Sequence, residues 1–409
     1  MLADPNVAAS SGNLSPASTI NSDSAPELSL VHTFPLYFRV LLLAVLGVWA
    51  WATNIHGLEA AGISVNTIFD NNDDSMSAPK RRPGYVPVYK IAVTLSLLWI
   101  IGITLYGMLM RRSDTIDRAV TIAILAYVVF FFLVFQPFNW LEKSTRMAFA
   151  KSLRRIIFDP PWAARVLLSD VILADILTSF ARVFADTYAT GCDFYYHMFV
   201  TKSAPVTVIP SPTSNSSCNY TTVAPYLVSL PFLFRLRQCI TEVYRAKHPV
   251  DRRRHIMNAL KYLSALPVIF LSAAQKEDAM NSRLGVLFVC WSVAVIVNTL
   301  YSFYWDIAMD FDLGHISGRR APAYSAKSFP FMLRPRLHFP DPMLYYTAIA
   351  LDFILRIAWT LKLSWHLRID TMTFGPFLMA FIEILRRWMW VYFRLEREWV
   401  YRELRSDQH

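Results

Sequence analysis

Charge is scarce in this chain. Asp, Glu, Lys and Arg make up 17% of its 409 residues, against about 25% in an ordinary soluble domain. No soluble domain fits between its long apolar runs, and no internal repeat is present. Glycine is scarcer still: the 12 glycines form neither a Walker phosphate loop nor a GxSxG nucleophile turn. The nine histidines are scattered and include no HExxH. Four cysteines, Cys192, Cys218, Cys239 and Cys290, show no metal-ligand spacing. Residues 1–33 contain no Lys or Arg and no cleavable signal peptide, and read as a disordered cytosolic tail. The expectation from these absences is a protein that is not an enzyme and uses no cofactor or metal.

What the chain has instead is hydrophobicity, 55% of its residues. Runs long enough to cross a bilayer, roughly 20 residues, begin near Phe34, Val88, Ala119, Ala163, Val223, Ala259, Leu284, Met343 and Phe374. The first is expected to act as its own insertion signal. The stretch LEKSTRMAFAKSLRRIIF, 141–158, alternates basic and apolar positions at helical spacing. It suits either a short additional crossing or an amphipathic helix lying on the membrane. The expected fold is an all-α polytopic membrane helix bundle of about ten transmembrane helices.

The net charge of +10 is read loop by loop through the positive-inside rule, and nucleic acid is not an expected partner. Five basic residues lie between Arg245 and Arg254 and five between Arg319 and Arg336. Arg394, Arg397, Arg402 and Arg405 follow near the C-terminus. These regions are expected in the cytosol, together with both termini. Loop 190–224 holds Lys202 as its single Lys or Arg, and two glycosylation sequons at Asn215 and Asn219, which function on the luminal side. Cys192 and Cys218 flank that loop. A disulfide between them fits the compartment; two free thiols are the alternative.

The last six helices carry charge where lipid would demand none. In DVILADILTSFARVFAD, Asp175, Ser179, Arg182 and Asp186 recur at steps of four, three and four, one polar face of an apolar helix. The next helices offer Arg235, Gln238 and Glu242, then Asn258 and Lys261, then Ser302, Asp306 and Asp310. Asp352, Arg356 and Trp359 share a face, as do Glu383, Arg386 and Arg387. A charge at mid-bilayer costs about 2.5–3.5 kcal/mol on insertion scales, so such groups face a protein interior or a wet cavity. Two bland alternatives stand beside a pathway. Terminal arginines can snorkel to the headgroups, and pairs such as Asp175–Arg182 or Asp352–Arg356 can simply brace helices. Near midspan the cations Arg182, Arg235, Lys261, Arg356, Arg386 and Arg387 outnumber Asp175, Asp306 and Glu383. A positive, guanidinium-lined cavity suits a tetrahedral oxyanion, because Arg forks onto its oxygens. The Asp310-Phe-Asp312 pair resembles a sugar-nucleotide metal motif, but no nucleotide domain accompanies it and chance explains it better.

Six blocks in order and spacing resemble the EXS domain: LADILTS (173–179), LFRLRQCITEVYR (233–245), HIMNALKY (255–262), YSFYWDIAMDFDLG (301–314), YYTAIALDFILRIAWT (345–360) and IEILRRWMWVYFRLERE (382–398). This is the domain of the retroviral-receptor phosphate exporters and of the fungal ER-retention-defective proteins. The exporters precede it with an SPX domain that senses inositol pyrophosphates. This sequence shows none, which makes it similar to the ER-retention-defective branch.

That resemblance implies a Golgi membrane protein returning inorganic phosphate from lumen to cytosol and supporting glycosylation and retention of resident proteins. It implies a pathway through Asp175, Arg235, Lys261, Asp306, Arg356, Trp359, Glu383, Arg386 and Arg387. Thr178 replaces an Asn usual in the exporters, and Arg397 and Trp399 replace an Asn and a His. The expected organisation is N-terminal transmembrane helices over 34–162, a six-helix pathway bundle over 163–395 and a basic cytosolic tail over 396–409. Inorganic phosphate and the bilayer are the expected partners. Golgi glycosyltransferases or their sorting adaptor, and a second copy in a homodimer, are further candidates. The rival function is a non-transporting sorting protein that retains glycosyltransferases through its cytosolic loops.

Overall fold

The computed structural model describes residues 34–69, 83–111, 116–160, 166–200, 219–277, 284–314, 333–358 and 374–406. Among them every regular element is helical. The elements are α1 (Leu36–Ala60), α2 (Val65–Phe69), α3 (Tyr85–Met110), α4 (Ile116–Phe135), α5 (Lys143–Phe158), α6 (Leu168–Ser179), α7 (Ala181–Tyr195), α8 (Tyr220–Arg245), α9 (Pro249–Leu263), α10 (Ala265–Glu277), α11 (Leu284–Trp305), α12 (Pro342–Arg356) and α13 (Gly375–Ser406). Eight of the nine apolar runs read from the sequence become helices starting within about five residues of their expected places; the run near Ala259 begins inside α9, which starts at Pro249.

Among the described residues, five helical stretches are long and apolar enough to cross a membrane: Leu36–Ala60, Tyr85–Met110, Arg118–Phe135, Pro249–Gln275 and Gly285–Asp310. The expected count of about ten is therefore met only in part. The shortfall has two physical causes. Helices α6, α7 and α12 are 12, 15 and 15 residues long, below the roughly 20 that span a bilayer, and in the longer α8 and α13 the charge stripes lower the hydropathy. Helix α13 runs for 32 residues, about 48 Å. The faces of α3 and α11 turned away from the protein are apolar: Leu97, Ile101 and Met108 on one, Val289, Val293 and Leu300 on the other, each more than half exposed. Such continuous apolar surface suits lipid.

The segment 141–158 forms α5, 16 residues long, about 24 Å and short of the roughly 30 Å of hydrocarbon. It is fixed at both ends by arginines. After α4 the chain turns through Leu141 and Glu142, both with positive φ. Buried Arg146 holds that turn by donating to the carbonyls of Gln136 (2.6 Å), Leu141 (2.7 Å), Trp140 (2.7 Å) and Phe138 (3.1 Å). At the other end Arg237 of α8 donates to the Arg155 and Ile157 carbonyls at 3.1 and 3.0 Å. Arg155 grips Asp170 of α6 at 2.6 and 2.7 Å.

The N-terminal helices α1, α3 and α4 pack side by side, and α1 passes their contact on to α7 and α13. Helix α13 is the axle of the C-terminal half, touching α1, α6, α12 and the turn after α11. Its Trp390, together with Tyr345 of α12 and Phe311, is buried in the largest apolar cluster. Two interruptions of the helices shape the polar interior. The single helix expected to carry the stripe from Asp175 to Asp186 breaks at Phe180, between α6 and α7. After Trp305, α11 widens into a π-turn over Asp306–Asp310, a feature often found at functional sites.

The expected domain boundary at 395/396 falls inside α13, which continues to Ser406. Glu396 is fully buried and accepts from Arg334, from the Tyr345 hydroxyl (2.8 Å) and from the His338 backbone (3.1 Å). Arg402 donates to the Thr67 carbonyl at 2.9 Å. Cys192 is disulfide-bonded, and its expected partner Cys218 lies outside the described residues, as do Asn215 and Trp359. Asn219 is exposed just before α8, and Cys239 and Cys290 are free.

Candidate functional site

Six elements, from α6 to α13, meet here, each bringing one to three ionisable side chains. Asp175 of α6 lies against Arg235 of α8, with Nε donating to Oδ1 at 2.8 Å, and accepts from the Tyr262 hydroxyl at 2.6 Å. Arg235 also stacks over the Tyr262 ring, 4.9 Å from its centroid, and reaches Gln238 Oε1 at 2.5 Å. Gln238 in turn donates to the Asp170 carbonyl at 3.2 Å. The polar side chains at this end therefore satisfy one another, which is what burial requires.

Asp306, fully buried at the start of the π-turn, is the hub. It takes Lys261 on Oδ1 at 2.9 Å, and on Oδ2 it takes Arg356 and, at 3.3 Å, Arg386. Arg386 further touches Glu383 at 3.1 Å and Asp352 at 3.5 Å. Asp352 stands 3.6 Å from Arg356 Nε, yet neither of its oxygens accepts a hydrogen bond. Asp310, one helical turn beyond Asp306, faces Lys261 at 3.5 Å and the Trp390 indole at 3.3 Å.

Arg387 differs from all of these. It is 6% exposed, and among the described residues no carboxylate lies within ion-pairing distance of it. Its Nε donates to Ser179 Oγ at 3.2 Å and its Nη2 to Thr178 Oγ1 at 3.1 Å. Its guanidinium carbon lies 4.5 Å from the centre of the Trp390 ring. Its Nη1 is buried with no hydrogen-bond partner. The break at Phe180 makes this possible, because it ends α6 with Thr178 and Ser179 turned toward α13.

The structure thus gathers Asp175, Arg235, Lys261, Asp306, Arg356, Glu383, Arg386 and Arg387 into one contiguous network. It adds Tyr262, Asp310, Asp352, Thr178 and Ser179. Asp310 and Asp352 were legible as members of polar stripes. Tyr262, adjacent to Lys261, gave no signal.

Two expectations are corrected. Arg182 does not join the cluster: it lies beyond the helix break and pairs with Asp186 at 2.9 Å, while Asp175 pairs with Arg235. Nor is the cluster positive as a whole. The cations Arg235, Lys261, Arg356, Arg386 and Arg387 face the anions Asp175, Asp306, Asp310, Asp352 and Glu383, formally equal in number. The imbalance is local: carboxylates crowd around Asp306, and none is in contact with Arg387.

Buried, cross-linked charges at the centre of a polytopic helical bundle define a membrane protein built around a polar interior. The EXS family model matches residues 34–400, and the chain belongs to the EXS family. It is 29% identical to Protein ERD1 homolog 1 of Schizosaccharomyces pombe over 380 residues, 90% of this chain and 91% of that protein. It is 25% identical to the phosphate transporter PHO1 of Arabidopsis thaliana over 378 residues, 92% of this chain and 44% of that one. A xenotropic and polytropic retrovirus receptor 1 homolog of Danio rerio shares 27% identity over 348 residues, 84% of this chain and 47% of that protein.

Proposed function

We propose that this protein conducts inorganic phosphate across the Golgi membrane from lumen to cytosol, through the bundle formed by residues 163–395 and with both termini cytosolic. The observation that carries the proposal is Arg387, a buried guanidinium with a free Nη1 and no carboxylate beside it. Its counter-charges, Asp175 and Asp306, act on it without touching it, whereas a structural brace would pair it directly, because leaving a buried charge without a direct partner costs several kcal/mol. A phosphate seated there accepts the fork of Arg387 and meets the Thr178 and Ser179 hydroxyls. Arg386, Lys261 and Arg356 stand one contact further on, each already shared with Asp306. Competition between phosphate and those carboxylates keeps the ion's hold weak enough for release, as conduction requires. Kinship with a protein named as a phosphate transporter supports the substrate, and kinship with the ERD1 homologs supports the compartment. Glycosylation and the retention of Golgi residents follow from phosphate clearance in this reading. The test is uptake of labelled phosphate into sealed vesicles containing the purified full chain. Uptake above that of empty vesicles is expected; its absence from correctly inserted protein overturns the proposal.

A further inference from the structure

Helices α8 and α9 form an antiparallel hairpin whose inner side carries Arg235 and Lys261. Its outer side holds an open groove of about 360 Å³. Leu236, Ile240 and Val243 line one wall, and Ile256, Leu260 and Leu263 the other. On α9 the lining residues recur at helical spacing, and the stripe ends at Arg252, exposed at the mouth of the groove. Tyr244 and Val250, 78% and 77% exposed, flank that mouth. The turn around them also carries Arg245, Lys247 and Arg253 against the single acid Asp251. Arg254 points elsewhere, toward the Met309 carbonyl at 3.5 Å.

An apolar slot on a membrane-facing helix pair, closed at one end by cationic side chains, matches one chemistry: an acyl chain ending in an anionic phosphate headgroup. We propose that this groove is a site for an anionic glycerophospholipid, held by Arg252 and by the apolar walls, and that its occupancy sets the spacing of α8 and α9. The groove residues Leu236 and Leu260 are the chain neighbours of Arg235 and Lys261. A shift that closes or widens the groove therefore moves the Asp175–Arg235 and Lys261–Asp306 pairs on the other side.

The test uses the full chain in bilayers of phosphatidylcholine with and without phosphatidylserine. Native mass spectrometry of protein released from the mixed bilayer should show retained phosphatidylserine in preference to phosphatidylcholine. Arg252→Gln should lose the preference, and Ala259→Trp, which fills the slot from the α9 wall that Ala259 lines, should lose retained lipid altogether. Equal retention of the two lipids, or unchanged preference in Arg252→Gln, overturns the site. A chain-to-chain disulfide formed efficiently by Leu260→Cys would put a second copy in the groove and also overturn it. The coupling arm rests on the phosphate-conduction reading: flux should fall by about fivefold or more without phosphatidylserine, the lower range of ordinary coupling between sites. Lipid retention is read without transport, so selective retention with no flux in any bilayer contradicts conduction and leaves the lipid site standing. Equal flux in both bilayers overturns the coupling.

Discussion

Arg386 and Arg387 are neighbours in the chain and keep opposite company. Arg386 has Glu383, Asp306 and Asp352 at 3.1, 3.3 and 3.5 Å. Arg387, rotated about 100° around the helix, has two hydroxyls and an indole ring. The first guanidinium is a cross-brace that holds α13 to α12 and the π-turn. The second is held in position by neutral groups, with no carboxylate in contact.

The brace at the other end of the cluster should show in stability. Asp175→Asn removes the counter-charge of buried Arg235, a loss of about 3–5 kcal/mol for a broken buried pair. Tyr262→Phe removes one hydroxyl donor to the Asp175 carboxylate and should cost less, about 1.5–3 kcal/mol. Thermal unfolding of the purified variants checks the order. An Asp175→Asn protein that melts with the parent contradicts the network.

Gly47 of α1 lies under Phe180, the residue at the α6–α7 break. A Cβ added there would sit 2.5 Å from the ring's Cζ atom. Gly47→Ala should therefore displace Phe180, destabilise by about 1–3 kcal/mol as an overpacked site, and disturb Thr178 and Ser179 beside Arg387. Phe180→Leu in the same chain should recover much of the stability. A lone Gly47→Ala variant with parental melting and flux would show that the close approach is dispensable.

Replacing both Asp352 and Arg356 with leucine keeps the charge balance and fills the volume, and buried pairs often tolerate such exchange. Arg356 also serves Asp306, however. The double variant should insert and purify normally yet lose phosphate flux. Full flux would remove Arg356 from the pathway.

The orientation rests on loop charge and the sequons. Asn219 is exposed at the start of α8, so endoglycosidase should shift the mobility of the parent and not that of an Asn215→Gln/Asn219→Gln double variant. A C-terminal tag protected from protease in sealed microsomes would invert every helix.

Contacts within one helix were legible in the sequence, because helical spacing alone brings Glu383 to Arg386. The existence and starts of the helices were legible too, since apolar runs announce them. What the spacing could not supply was the pairing between helices. Asp306 gathers partners 45, 50 and 80 positions away. The π-turn also places Asp310 by a rule other than the regular helical period. The break at Phe180 misled in the same way: a continuous stripe set Arg182 against Asp175, and the interruption sends each to a different partner. Arg334 looked like one more surface cation of a cytosolic loop. No local pattern announces that its guanidinium is buried on Glu396.

The most direct measurement is phosphate flux by Arg387→Lys in sealed vesicles, normalised to inserted protein. Lysine keeps the charge but loses the fork that grips two oxygens, and with it the paired hydrogen bonds to Ser179 and Thr178. The account predicts parental abundance with flux lowered by about tenfold or more, equivalent to about 1.4 kcal/mol or more of lost interaction. Parental flux from a fully inserted Arg387→Lys protein would contradict the claim that phosphate passes this guanidinium.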